Sequence, residues 1–164
     1  MKNIVLIGMP GAGKTTVGTY LSELIGYGYI DSDSVIIARE GKRLNEIIEA
    51  CGREKFLDIE AKVNSEIAAS RCVIATGGSV VYRPYALEVL KKTGKIVYLQ
   101  LSYEEIERRL GDLKARGVAL KEGYTLRDLY NERTPLYEKY AELTVCLDGL
   151  SVEEAARKIA EAIV

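Results

Sequence analysis

Short apolar runs alternate with amphipathic stretches along the whole chain. Asn3–Ile7 is a β-branched apolar run that stops at Gly8, and the residues from Lys14 to Ile25 repeat their apolar positions at helical spacing. Runs of the strand type recur four more times after this first unit. The pattern therefore predicts five strands, at 3–7, 27–30, 72–75, 95–101 and 143–147.

Amphipathic segments of helical period separate these strands. Ser102 is followed three residues later by Glu105, and Ser151 by Glu154, which is the pattern of a helix-capping box, and Thr125 stands before another helical run. The predicted helices cover 14–25, 34–39, 44–50, 54–69, 85–92, 102–110, 125–140 and 151–163. Strands that alternate with helices indicate an α/β fold of three layers, a parallel sheet with helices on both faces.

The span 1–164 shows no internal repeat, low-complexity tract or linker, and its length fits one domain. One segment, 111–123, mixes charge and glycine without a clear period. We therefore predict a single domain that carries a mobile loop at 111–123.

The amino-acid composition excludes several classes of binding and catalysis. Lys and Arg total 23 and Asp and Glu total 24, so no basic excess exists for binding nucleic acid or an anionic membrane. The absence of histidine excludes Ser-His-Asp and Cys-His catalysis and histidine-ligated zinc. The three cysteines form no C-x-x-C pair, and no apolar run approaches the roughly 20 residues that span a bilayer. We expect a cytoplasmic monomer with neither nucleic acid nor membrane as a partner.

The strongest motif follows the first strand. Residues 8–15 read GMPGAGKT and match the G-x-x-x-x-G-K-[ST] pattern of a P-loop, with a strand before it and a helix after it. In such a loop, backbone N–H groups and the helix N-terminus bind phosphate, Lys14 reaches the β- and γ-phosphates, and the Thr15 hydroxyl holds Mg²⁺. The alternative is a glycine turn with a lysine in solvent.

The chain lacks the other signals of a GTPase, because neither N-K-x-D nor D-x-x-G occurs. The third strand ends in Thr76-Gly77-Gly78, without the acidic residue that usually binds Mg²⁺ there. Asp31 and Asp33 end the second strand and should face the P-loop, because the carboxyl ends of parallel strands share one edge. The alternative is a helix N-cap, since Asp33 precedes a helical run.

Four segments together resemble the shikimate kinase family: 8–18 (GMPGAGKTTVG), 31–33 (DSD), 75–78 (ATGG) and 132–138 (ERTPLYE). The resemblance covers essentially the whole chain in the family's order. It implies a P-loop kinase fold with strand order 2-3-1-4-5 and a lid at 111–123. It also implies ATP- and Mg²⁺-dependent phosphorylation of a small acid's hydroxyl, above all shikimate to shikimate 3-phosphate in aromatic amino acid biosynthesis.

The resemblance also implies roles for individual positions. ATP would be bound by Gly11, Ala12, Gly13, Lys14, Thr15, Thr16, Arg109 and Arg116, and Mg²⁺ by Thr15 and Asp31. The acceptor would lie against Asp33, Leu57, Glu60, Gly77, Gly78 and Arg133. Lys14, Asp33 as the base and Arg116 in the lid would be catalytic. The alternatives are solvated surface cations at 109 and 116 and a structural arginine at 133.

Three departures from the family pattern fall in the acceptor pocket and the lid. The pattern F-R-x-x-E reads FLDIE at 56–60, so Leu57 stands where the family has the second arginine of a carboxylate clamp. The glycine triplet has become Gly77-Gly78-Ser79, and the lid's R-P-L-L has become RGVAL at 116–120. Loss of the arginine should weaken a carboxylate ligand by roughly ten- to a hundredfold.

Several consequences of Leu57 stay open at the level of sequence. Arg133 could bind the carboxylate with help from Arg53 or Arg83. Alternatively Glu60, left without an arginine beside it, favours an acceptor with an ammonium group, such as homoserine, unless Glu60 points to solvent and Leu57 merely packs. A third possibility is a nucleotide-binding protein that has lost catalysis.

Overall fold

Five parallel strands form one sheet in the computed structural model, which describes residues 2–110 and 121–163. The strands are β1 (Asn3–Ile7), β2 (Gly28–Asp31), β3 (Cys72–Ala75), β4 (Gly94–Gln100) and β5 (Leu143–Cys146). Their order, β2-β3-β1-β4-β5, confirms the 2-3-1-4-5 arrangement that the resemblance implies. In the centre of the sheet, Val5 pairs with Ile74 on one side and Ile96 on the other.

Eight helices are assigned within the described residues, and they surround the sheet. They are α1 (Lys14–Ile25), α2 (Ser32–Glu40), α3 (Leu44–Cys51), α4 (Arg53–Ser65), α5 (Pro84–Thr93), α6 (Tyr103–Arg109), α7 (Leu126–Tyr140) and α8 (Val152–Ile163). The predicted helices all form, although α4 ends at Ser65 rather than at residue 69. A 3-10 turn at Val80–Tyr82 has no counterpart in the sequence prediction. Within the described ranges, the helices are too short or too polar to cross a bilayer.

The core divides into two clusters that together fix the site. The larger cluster surrounds β1, whose five residues are all buried, and includes the inner faces of α1, α5 and α8. The smaller cluster joins α2, α3 and α4 through five buried apolar residues, Ile36, Ile47, Phe56, Leu57 and Val63. This second cluster holds α4 against the segments that follow β2 and β3. The acidic residues of α2 and α4 therefore approach the carboxyl edge of the sheet.

Of the two capping boxes predicted from the sequence, one forms completely and the other only in part. Ser151 and Glu154 form a reciprocal capping box before α8. Ser102 accepts from the Glu105 backbone N–H at 3.4 Å, but its own N–H donates to Asp148 instead of to the Glu105 side chain. The box predicted at Ser102 is therefore only half formed, because Glu105 is engaged by arginines of α6.

Candidate active site

A polar cavity of about 520 Å³ lies at the carboxyl edge of the sheet. The segments that follow β1, β2 and β3 form its floor, and side chains from α4, α6 and α7 complete its walls. Most of the residues predicted to bind nucleotide or acceptor line it: Gly11, Gly13, Lys14, Thr15, Thr16, Asp31, Asp33, Glu60, Gly77, Gly78, Arg109 and Arg133. Leu57 and Ala12 are predicted site residues of the described ranges that do not line it.

The loop between β1 and α1 forms one end of the cavity. Gly13 precedes α1 with φ 92°, a left-handed conformation that a residue with a Cβ adopts at a cost. Thr15 and Thr16 are exposed to the cavity at the first turn of α1. Because the first N–H groups of a helix lack intrahelical partners, this turn presents donors and a positive dipole end to an anion.

Lys14 is folded back over the loop. Its Nζ donates to the carbonyl oxygens of Gly8 at 2.6 Å and Met9 at 2.9 Å. Burial lowers the pKa of the Lys14 ammonium to about 8, against the opposing attraction of Asp33. A buried ammonium in a phosphate-binding loop is suited to neutralise anionic oxygens that replace these carbonyls.

Arg109 lies beside the same loop, at the end of α6. Its Nε donates to Glu105 at 2.9 Å and its Nη1 to the Gly11 carbonyl at 3.3 Å. Ala12 is buried, and its N–H donates to the Met9 carbonyl, so it shapes the loop from the core side. Arg116 and residues 111–120 of the predicted lid lie outside the described residues.

The two aspartates at the junction of β2 and α2 have different environments. Asp31 is the N-cap of α2, since its Oδ1 accepts from the N–H groups of Asp33 at 3.0 Å and Ser34 at 3.4 Å. The capping alternative raised for Asp33 is thus wrong, because Asp33 already lies in the first turn of α2. The Asp33 Oδ1 is buried and accepts no hydrogen bond from residues 2–110 or 121–163. Burial, together with repulsion from Asp31, raises the pKa of Asp33 to about 6.

Glu60 of α4 faces the cavity rather than solvent. It is 2 % exposed, and its Oε1 accepts from the Ser79 hydroxyl at 2.6 Å. A Cβ added to Gly77 would lie 2.5 Å from Glu60 Oε2 and 2.9 Å from Asp33 Oδ1, so the backbone after β3 passes directly against both carboxylates. Burial raises the pKa of Glu60 to about 7, while the bond from Ser79 opposes that rise.

Leu57 does not reach this wall. It is 1 % exposed and packs in the cluster of α2, α3 and α4 with Ile36 and Phe56. The alternative that Leu57 merely packs therefore agrees with the structure, whereas a solvent-facing Glu60 does not. The position where the family has a clamp arginine is here part of the core.

A buried arginine of α7 lines the cavity next to Gly78 and Pro10. Arg133 is 1 % exposed, and its Nε donates to the Tyr82 hydroxyl at 3.3 Å. Its guanidinium carbon lies 5.2 Å from the centre of the Tyr82 ring. The Tyr137 hydroxyl donates to the Gly78 carbonyl at 2.6 Å, which ties α7 to the segment after β3.

Three of these residues were not singled out from the sequence. Ser79 directly follows the recognised Gly77-Gly78, and Tyr137 lies within the recognised segment 132–138, but neither was assigned a role. Tyr82 carried no signal, because the 3-10 turn that positions it has no periodic pattern of its own.

One cavity brings together cations suited to two kinds of anion and a pair of acids. Lys14, Arg109 and the α1 N-terminus suit a polyphosphate, and the buried Arg133 suits a carboxylate. Asp33 lines the same cavity next to Gly77 and can orient a hydroxyl group. No cluster of three acidic, cysteine or histidine ligands is present in the described ranges. Mg²⁺ bound with a nucleotide needs only one or two protein ligands, so Thr15 and Asp31, which line the same cavity, fit that requirement.

Comparison with known proteins identifies relatives of this arrangement. The family model described as shikimate kinase matches residues 10–164. A shikimate kinase of Thermodesulfovibrio yellowstonii is 40 % identical over 162 residues, covering 97 % of this chain and 93 % of that protein. The solved structure of Acinetobacter baumannii shikimate kinase in complex with shikimate matches with a TM-score of 0.91 at 36 % identity, over 99 % of this chain and 93 % of the other. The Aquifex aeolicus enzyme matches with a TM-score of 0.82 at 29 % identity, over 98 % of this chain and 95 % of the other.

Proposed function

The chain belongs to the shikimate kinase family, a family of ATP-dependent small-molecule kinases, and we propose that it transfers the γ-phosphoryl group of ATP to a hydroxyl of shikimate. One observation carries the proposal: a single cavity joins the phosphate-binding loop, the Asp33 carboxylate and the buried Arg133. In this cavity a triphosphate and a hydroxy acid can meet with the acceptor oxygen next to Asp33. We also propose that the protein acts as a cytoplasmic monomer in aromatic amino acid biosynthesis.

The nucleotide end would work by neutralising charge. Lys14 exchanges the carbonyl oxygens of Gly8 and Met9 for phosphate oxygens, which keeps its ammonium charged in a buried position. Thr15 and Asp31 would hold Mg²⁺, whose charge draws electron density from the phosphate oxygens when it is bound. Arg109 would lie against the adenine, and Arg116 would bind phosphate from the lid.

The acceptor end would work by positioning. Arg133 binds the shikimate carboxylate, while Gly77 and Gly78 leave room for the ring beside Asp33 and Glu60. Asp33 accepts a hydrogen bond from the reacting hydroxyl. As the bond from that oxygen to the γ-phosphorus forms and the bond to the leaving ADP breaks, the hydroxyl proton passes to the Asp33 carboxylate.

The test is a coupled assay of ADP release with MgATP and a panel of acceptors, namely shikimate, homoserine and gluconate. We expect shikimate to be turned over with the highest kcat/KM. The buried Glu60 gives homoserine a specific place in the panel, because a carboxylate in the wall can bind an ammonium group. Turnover of homoserine alone would replace the proposal with an amino-alcohol kinase. Nucleotide binding without turnover of any acceptor would indicate a non-catalytic protein.

A further inference from the structure

The inner face of α4 continues beyond Glu60 toward the helix N-terminus. Phe56 and Glu60 line the cavity, and Arg53 stands at i, i+3, i+7 spacing with them, which places the three on one face of the helix. Arg53 also lies one turn before Leu57, the residue that occupies the clamp-arginine position. Arg53 is not itself among the residues that line the cavity, but it lies one turn from Phe56 on the same face of α4.

Arg53 and Arg133 converge on one aromatic ring. The Arg53 guanidinium carbon lies 4.9 Å from the centre of the Tyr82 ring, and the Arg133 guanidinium carbon lies 5.2 Å from the same centre. The ring face attracts each cation, but the two cations repel one another. An anion that both guanidinium groups can reach would remove that repulsion.

The Arg53 side chain is enclosed and incompletely paired. It is 17 % exposed, and its Nε is buried without a hydrogen-bond acceptor among the residues that the structure describes. Its Nη1 contacts Glu54, whose side chain is 70 % exposed, so this ion pair is largely screened by solvent. A buried guanidinium N–H without an acceptor is costly in a folded protein, and a bound carboxylate can supply the acceptor.

Arg83 is placed differently. Its Nε donates to the exposed Asp58 at 2.9 Å, and its Nη2 lies 3.5 Å from Glu54. Both carboxylates are largely exposed, and the Arg83 Nη1 donates to the Tyr82 backbone carbonyl at 3.3 Å, so all three guanidinium nitrogens of Arg83 have partners. Of the two arginines that could compensate for Leu57, Arg53 is the one whose guanidinium lies over the Tyr82 ring, as that of Arg133 does.

We infer that Arg53 is the second carboxylate-binding cation of the acceptor site. It lies one helical turn before position 57 and replaces the arginine that the family has there. Arg53 and Arg133 both contact the acceptor's carboxylate from their positions around the Tyr82 ring. Position 57 then needs no cation, and Leu57 packs in the core. This inference rests on the proposed function, because it concerns the binding of an acceptor that carries a carboxylate.

The test compares Arg53→Met, Arg53→Lys and Arg83→Met in steady-state kinetics with MgATP. Methionine keeps an unbranched stem against Tyr82 but removes the charge. For Arg53→Met we expect KM for shikimate to rise about ten- to a hundredfold, with the KM for ATP unchanged and kcat altered by much less. Arg53→Lys should recover part of the loss. Arg83→Met is the matched control and should leave the KM for shikimate unchanged.

A neutral acceptor separates charge recognition from packing. The shikimate analogue with a carboxamide in place of the carboxylate should react with nearly the same kcat/KM in the wild type and in Arg53→Met. Equal losses with both acceptors would show that Arg53 only supports the fold of the pocket and would overturn the inference. An unchanged KM for shikimate in Arg53→Met would overturn it as well. Failure of the wild type to phosphorylate shikimate would instead refute the proposed function.

Discussion

Glu60 should make the stability of the protein fall as the pH rises, and Glu60→Gln should remove that fall. The carboxyl group is 2 % exposed, and burial raises its pKa from the ordinary value of 4.5 to about 7. Glutamine keeps the size of the side chain and an oxygen that can accept from the Ser79 hydroxyl. The substitution therefore removes the ionisation and leaves the packing in place.

The sign and size of the effect follow from the two pKa values. Below about pH 4.5 the group is protonated in both the folded and the unfolded chain and contributes no pH dependence. As the pH rises toward 7, the unfolded chain loses the proton while the folded chain keeps it, so the free energy of unfolding decreases. One pKa unit is worth about 1.4 kcal/mol, and the full loss above pH 7 is therefore about 3 kcal/mol.

Chemical denaturation at about pH 5 and about pH 8 measures the effect. We expect Glu60→Gln to gain stability relative to the wild type by roughly 2–3 kcal/mol between these two conditions. The control is Glu88→Gln, which changes an exposed glutamate on α5 and should follow the wild type at both pH values. A difference between wild type and Glu60→Gln that stays constant with pH would refute a neutral, buried Glu60.

The remaining predictions concern the walls of the cavity. Lys14→Ala should lower kcat by about a hundred- to a thousandfold with the circular dichroism spectrum unchanged, because charge neutralisation is lost, and a near-normal kcat would contradict its role. Gly77→Ala places a Cβ 2.5 Å from Glu60 Oε2 and should lower both Tm and acceptor affinity. Tyr137→Phe leaves the Gly78 carbonyl without its 2.6 Å bond and should cost about 1–3 kcal/mol of stability in denaturation experiments.

The sequence was sufficient to predict the five-stranded parallel sheet and the phosphate-binding end of the site. The apolar run of β1 and the helical spacing of apolar residues in α1 placed the phosphate-binding loop between them, because both patterns are local and periodic. The carboxyl-edge rule brought Asp33 to the same cavity as Lys14. It did not distinguish Asp31 from Asp33 as the cap of α2, since that depends on where the chain turns from extended to helical geometry.

The acceptor end depends on contacts between residues distant in sequence. Tyr82 and Arg133 are 51 residues apart in sequence and form a hydrogen bond. No local sequence pattern predicts such a contact. The sequence named Arg53 and Arg83 as equal substitutes for the missing clamp arginine. Only the packing of α4 against the Val80–Tyr82 turn distinguishes them: Arg53 lies over the Tyr82 ring, whereas Arg83 binds Asp58 and the Tyr82 backbone carbonyl.

We propose that the loop after β1 holds ATP so that its terminal phosphoryl group passes to a hydroxyl oriented by Asp33. The most direct measurement is the amount of phosphorylated shikimate formed per ADP released, for the wild type and for Asp33→Asn. We expect equal amounts of the two products in the wild type and a large loss of both in Asp33→Asn. ADP release that is independent of shikimate, or unimpaired phosphorylation by Asp33→Asn, would contradict it.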